Sequence, residues 1–273
     1  MRIVSGLSLL LLSCAIWLRT ALAARSGGTI LGLFPITGRD GSIGENRASG
    51  AMLALEWLRN DTQRISDGVP NNYTLDIVDT EDSKEKTLRR VFDRLQNRDV
   101  IGIIGASSSD VSAAVSTLAS AMDVVQISYA SSATELSDKE VYPLFCRVLP
   151  PNVQQINAVL STLRYFGWSR VSVLSTSDAY ASSLNSDFQT ETARPEWRDL
   201  TVDLISSLAI LSGEDNAQVI RDALQRLRSA QSRVVFLAAT ETDAKEILLA
   251  AYSVGMAGPG SGWVWLASDG WSQ

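Results

Sequence analysis

What most constrains this chain is an alternation. From Thr29 onward, short apolar runs take turns with longer segments whose apolar residues recur every three or four positions. The first kind includes TILGLF (29–34), YTLDIVD (73–79), VIGIIG (100–105) and VVQISY (124–129). Between them stand three helix patterns. ASGAMLALEWLRND puts Met52, Leu55 and Leu58 on one face. KEKTLRRVFDRLQNR has Leu88, Val91, Phe92 and Leu95 in register. DVSAAVSTLASAMD is a helix of small residues. Runs such as VIGIIG are apolar throughout rather than at every second position. Such strands are covered on both faces, which requires a parallel sheet flanked by helices. The pattern predicts an α/β chain built from βαβ units.

The alternation pauses at LFCRV and Leu149-Pro150-Pro151, then restarts. Helices are expected in VQQINAVLSTLRYFGW, ASSLNSDFQTETA, NAQVIRDALQRLRSA and TDAKEILLAAYSVG. Strands are expected in RVSVLST, DLTVDLIS, RVVFLAA and GWVWLAS. Two α/β lobes in tandem follow, 24–149 and 150–273, with one crossover near 149–151. No low-complexity linker separates them.

The first residues, MRIVSGLSLLLLSCAIWLRTALA, carry a positive start at Arg2, an apolar run and a small-x-small site ending at Ala23. This reads as a secretory signal peptide over 1–23. A second reading takes LLSC, Leu11 to Cys14, as a bacterial lipoprotein box. Net charge is −6. There is no basic run, so no nucleic-acid partner is expected. The chain contains no histidine, which removes the commonest general base and metal ligand. No metal and no cofactor are expected. Of two cysteines, Cys14 leaves with the signal, and Cys146 reads as a buried thiol in LFCRV. Sequons at Asn60 and Asn72 agree with a secretory route.

In open α/β sheets, ligands bind beyond the carboxyl ends of the strands. After VIGIIG come Ser107, Ser108 and Ser109, directly before a helix. A helix start offers free N–H groups and a positive dipole end, so hydroxyls there either cap the helix or hold an anion. After VVQISY come Ala130, Ser131 and Ser132. In the second lobe, Tyr180 follows one strand and Asp269 follows another. Hydroxyl donors on one lobe, with an aromatic and a carboxylate on the other, suit a zwitterion. Enzyme readings fare worse. GASSSD lacks the glycines of a dinucleotide fingerprint, there is no P-loop, and no nucleophile elbow with a histidine can be built.

QISYASSATELSDKEVYPLFCRVLPP, the helix after it, FGWSRVSVLSTSDAY and the terminal ASDGW resemble the extracellular ligand-binding domain of class C G-protein-coupled receptors. The likeness is greatest to metabotropic glutamate receptors and runs roughly from Thr29 to Trp271. The resemblance implies a type I periplasmic-binding-protein fold, or Venus flytrap, whose lobes close on an amino acid. It implies that Ser108 and Ser109 hold the ligand α-carboxylate, with Ser109 preferred. It implies that Ala130, Ser131 and Ser132 add contacts, Tyr180 is the cleft tyrosine and Asp269 meets the ammonium. This chain also departs from the pattern. The tyrosine and arginine that grip a distal carboxylate fall on Gly44 and Ala48, with Arg47 adjacent and expected to point elsewhere. An acidic cleft residue falls on Asn152. Glutamate is therefore expected to bind no better than a neutral amino acid.

The function expected is an extracellular receptor region for a small amino acid or related zwitterion, not an enzyme. The alternative is a solute-binding protein of a bacterial amino-acid transporter. A homodimer through the first lobe is the expected protein partner, and membrane attachment is expected only through segments beyond Gln273. The chain is expected to be incomplete at its C-terminus, because the return segments of such a fold are not in it.

Overall fold

The computed structural model describes residues 27–37, 41–61, 72–96, 99–210 and 215–268. Within them the chain alternates strands β1 (Gly28–Phe34), β2 (Tyr73–Asp79), β3 (Val100–Ile104), β4 (Gln126–Ser128) and β5 (Phe145–Arg147) with helices α1 (Gly41–Asn60), α2 (Lys84–Leu95) and α3 (Ser109–Ala121). It continues through α4 (Asn152–Tyr165), β6 (Arg170–Thr176), α5 (Ala179–Thr192), β7 (Thr201–Leu208), α6 (Ala217–Ser229), β8 (Val234–Ala238), α7 (Glu241–Ser253) and β9 (Val264–Ala267). Two sheets result, ordered β2-β1-β3-β4-β5 and β7-β6-β8-β9. Every strand pairing in both is parallel. The fold is α/β with parallel sheets, as in periplasmic-binding proteins.

Two compact units form. Among the described residues, the first comprises those up to Ser131 together with Asp138–Leu149. The second comprises Ser132–Ser137 and the described residues from Pro150 onward. The chain thus changes unit three times, not once. The core of the first unit packs Leu31, Leu33 and Ile103 of the sheet against Val91, Val111 and Val115 of α2 and α3. The second unit buries two layers. One centres on Leu174, Leu224 and Leu237, the other on Val173, Phe188 and Phe236. β8 is buried along its whole length, as an apolar run predicts for a strand covered on both faces, and β6 is buried beyond Arg170 although Ser172, Ser175 and Thr176 are polar.

Helix faces differ from the expectation in two places. α1 starts at Gly41, two turns before the predicted start, and its buried positions are Gly44, Ala48 and Leu55. Met52 is 49% exposed, Leu53 66% and Trp57 62%, so Met52 does not share the core face with Leu55. On α2 the buried set is Thr87, Val91 and Leu95, and Phe92 turns outward. Cys146 is half-buried rather than buried, because β5 is the edge strand of its sheet. Asn60 and Asn72 are both exposed.

Candidate functional site

In the first sheet the chain order reverses between β1 and β3, which places the carboxyl ends of these strands at the switch point of the sheet. The segment after β1 is held by Asp79, the last residue of β2. Its Oδ1 accepts from the amides of Ile36 at 2.9 Å, Thr37 at 3.2 Å and Glu81 at 3.0 Å. Its Oδ2 accepts from the Thr37 hydroxyl at 2.5 Å. Burial raises the carboxyl's pKa, but these four bonds outweigh it and hold Asp79 below the usual carboxylate range.

After β3 and β4 the small residues knit the two strand ends together. Ser128 Oγ donates to the Ala106 carbonyl at 2.8 Å. It also accepts from the amides of Ala130 at 3.2 Å and Ser131 at 2.8 Å. The Ser131 hydroxyl is fully buried, 2.7 Å from Ser112 Oγ and within 3.2 Å of the carbonyls of Ala106, Ser107 and Ser108. Ala130 and Ser131 therefore direct these groups inward and shape the strand ends. Ser108 is the N-cap of α3, its hydroxyl accepting from the Val111 amide at 3.5 Å. Ser109 is the first residue of that helix and is buried.

Tyr129 sits among these turns. Its ring stacks on Phe34 with centroids 5.4 Å apart, and its hydroxyl donates to the Leu33 carbonyl at 2.9 Å. Burial pushes its phenol far above the usual range, against the pull of the Arg47 charge. The Arg47 guanidinium lies over the ring at 5.3 Å and donates through Nη1 to Ser107 Oγ at 2.5 Å. This corrects the expectation that Arg47 points elsewhere. The early start of α1 puts Arg47 in its second turn, and the long side chain reaches the end of β3. Gly44 lets α1 pass close to the Pro35 carbonyl, and no tyrosine fits there. A Cβ on it would lie 1.9 Å from the Pro35 carbonyl oxygen. The contact between Arg47 and Ser107 joins residues 60 apart in the chain, so no local pattern announces it.

In the second unit, Ser132 is buried and its carbonyl accepts from the Asn152 amide at 2.8 Å. Asn152 begins α4 and is fully buried. Its Nδ2 donates to the Tyr180 carbonyl at 3.1 Å, while its Oδ1 has no hydrogen-bond partner among the described residues. Tyr180, in the first turn of α5, is partly buried against the Phe188 and Phe236 layer, and its hydroxyl is 3.4 Å from Gln155 Oε1. Asp178 caps α5, accepting from the Ala181 amide at 3.0 Å. Asp269 lies outside the described residues. Among the described residues, no group of three or more Cys, Asp or Glu side chains is placed to hold a metal ion, and no helix is long and apolar enough to cross a membrane.

The structure thus brings Arg47, Ser107, Ser108, Ser109 and Tyr129 to one end of one sheet. It gathers one guanidinium with several hydroxyls, groups that can meet an anion, and the Asp82 carboxylate also acts on Tyr129. The model of the receptor family ligand binding region covers residues 51–273, the greater part of the chain.

Proposed function

The chain belongs to the family of receptor ligand-binding regions, and from that premise we propose that it binds a small anionic amino acid or related zwitterion outside the cell. One observation carries this reading. Arg47 holds its charge at the carboxyl end of β3, hydrogen-bonded to Ser107 and lying over Tyr129. A guanidinium there can take a carboxylate in paired, charge-assisted hydrogen bonds. Ser108 and Ser109 add a helix start to the same end of the sheet. Ser132 and Tyr180 are the proposed contributions of the second unit. Asp269, which follows the last strand in the sequence, is the proposed partner of the ligand ammonium.

Closure of the two lobes around the ligand is the proposed signal, of the kind used by class C G-protein-coupled receptors. It requires that the ligand bind the closed arrangement better than the open one. Pairing of two copies through α1 belongs to the same reading and is supported by exposed Met52, Leu53 and Trp57. Sedimentation of the wild type and of Leu53→Asp tests that contact.

Calorimetric titration with L-glutamate, L-serine and glutarate tests the ligand class. L-glutamate should bind most tightly, because only it offers two carboxylates and an ammonium; this proposal replaces the expectation drawn from Gly44 and Ala48, since Arg47 brings a cation to the end of β3. Asp269→Ala should weaken it by about tenfold or more, the cost of one charge-assisted bond. Equal affinity for L-glutamate and L-serine in the wild type would remove the anion from the proposal.

A further inference from the structure

Between β4 and β5, two neighbouring strands of the first sheet, six residues leave their unit. Ser132–Ser137, including a 3-10 turn over Thr134–Ser137, group with the second unit. The contacts responsible are specific. The Thr134 amide donates to Ser183 Oγ at 2.9 Å, and the Thr134 hydroxyl donates to Asp187 Oδ2 at 2.6 Å. Ser183 and Asp187 stand four residues apart on α5 and so share one face of it. The Asn152 amide adds a bond to the Ser132 carbonyl at 2.8 Å. Ala133 and Leu136 are buried beside them, at 0% and 1% exposure. A strand connection ordinarily runs over the surface and is mobile. This one is anchored through both the backbone and the side chain of a single threonine.

We propose that Thr134, Ser183 and Asp187 form a clasp that makes segment 132–137 a working part of the second unit, with its position set by α5 rather than by the sheet whose strands it joins. The carboxylate end of the clasp is partly withdrawn from water, since burial raises the pKa of Asp187. The clasp also positions Ser132, two residues away. That consequence rests on the ligand reading above, whereas the clasp itself does not.

Amide hydrogen exchange on the full chain tests it, comparing the wild type with Thr134→Val, Ser183→Ala, Asp187→Ala and Asp187→Asn. Thr134→Val and Asp187→Ala should each speed exchange across 132–137 by about tenfold, the loss of one side-chain bond. Amides of β6 and β8 should keep their protection. Asp187→Asn should retain most of the protection, since its amide oxygen still accepts from Thr134. Unchanged exchange over 132–137 in Thr134→Val would overturn the clasp, as would acceleration spread evenly through β6 and β8. Should Asp187→Ala fail to fold, Thr134→Val decides alone, because it keeps the side-chain volume and removes only the hydroxyl. A second arm measures L-glutamate affinity in Thr134→Val. Faster local exchange with weaker binding supports both the clasp and the role of Ser132. Faster local exchange with unchanged binding supports the clasp and overturns its positioning of a ligand contact.

Discussion

Arg47 Nη1 donates to Ser107 Oγ at 2.5 Å, joining residues 60 apart in sequence at the carboxyl end of one parallel sheet. The same guanidinium lies over the Tyr129 ring, and its planar fork carries five N–H donors in all.

Arg47→Gln should weaken L-glutamate binding by about ten- to a hundredfold, the range for losing a charge-assisted bond. Binding of L-serine should change much less. Arg47→Lys should recover only part of the loss, because an ammonium cannot present the planar fork to a carboxylate. Titration calorimetry on the three proteins measures both ligands. A parallel fall for the two amino acids would assign Arg47 to folding rather than to ligand choice.

Gly44→Ala should destabilise the protein despite the better helix propensity of alanine. Propensity favours the change by about 1 kcal/mol. The new Cβ, however, would meet the Pro35 carbonyl oxygen at 1.9 Å, and backbone cannot yield as a side-chain tip can. Overpacking of this kind costs about 1–3 kcal/mol, and α1 must shift to relieve it. Urea unfolding should show a lower midpoint than wild type. A raised midpoint would mean that the loop after β1 yields freely.

Asp79 makes the loop after β1 sensitive to acid. Its folded pKa lies below the ordinary value, so the folded state binds this proton less readily than the unfolded chain does. The stability it supplies is present above the unfolded pKa and is lost as pH falls through the depressed value. Asp79→Asn should be less stable near neutral pH, because its NH₂ meets N–H and O–H donors. Its stability should also fall less steeply than the wild type's below about pH 4. Urea midpoints measured from about pH 7 down to pH 3 check both statements.

Asp187 behaves in the opposite sense. Burial raises its folded pKa, against a smaller opposing effect of the Thr134 hydroxyl. Its contribution is therefore full below the unfolded pKa and is lost as pH rises through the folded one. Asp187→Asn should remove that decline from about pH 4 upward. Thermal unfolding across the same range should show the mutant gaining on the wild type as pH rises. A constant offset between the two would remove ionisation of Asp187 from the account.

The sequence by itself determined the α/β architecture. Strand and helix signals are local, and an apolar run such as VVFLA carries its own evidence of burial on both faces; it is β8 residue for residue. It also placed the hydroxyl residues after β3 and β4, because strand ends precede helix starts in such a chain. What each hydroxyl does was decided only by tertiary structure. Ser131 looks like Ser107 in the sequence, yet one is turned among three carbonyls and the other faces Arg47, because the partners come from segments remote in the chain. The start of α1 was hidden for a related reason. Gly41, Gly44 and Gly50 lower local helix propensity, and only the close approach of Pro35 accounts for a glycine at 44. The segment Ser132–Ser137 carries no local sign of its allegiance. Its place is set by Ser183 and Asp187, about fifty residues further on, and a contact at that separation has no periodicity to announce it.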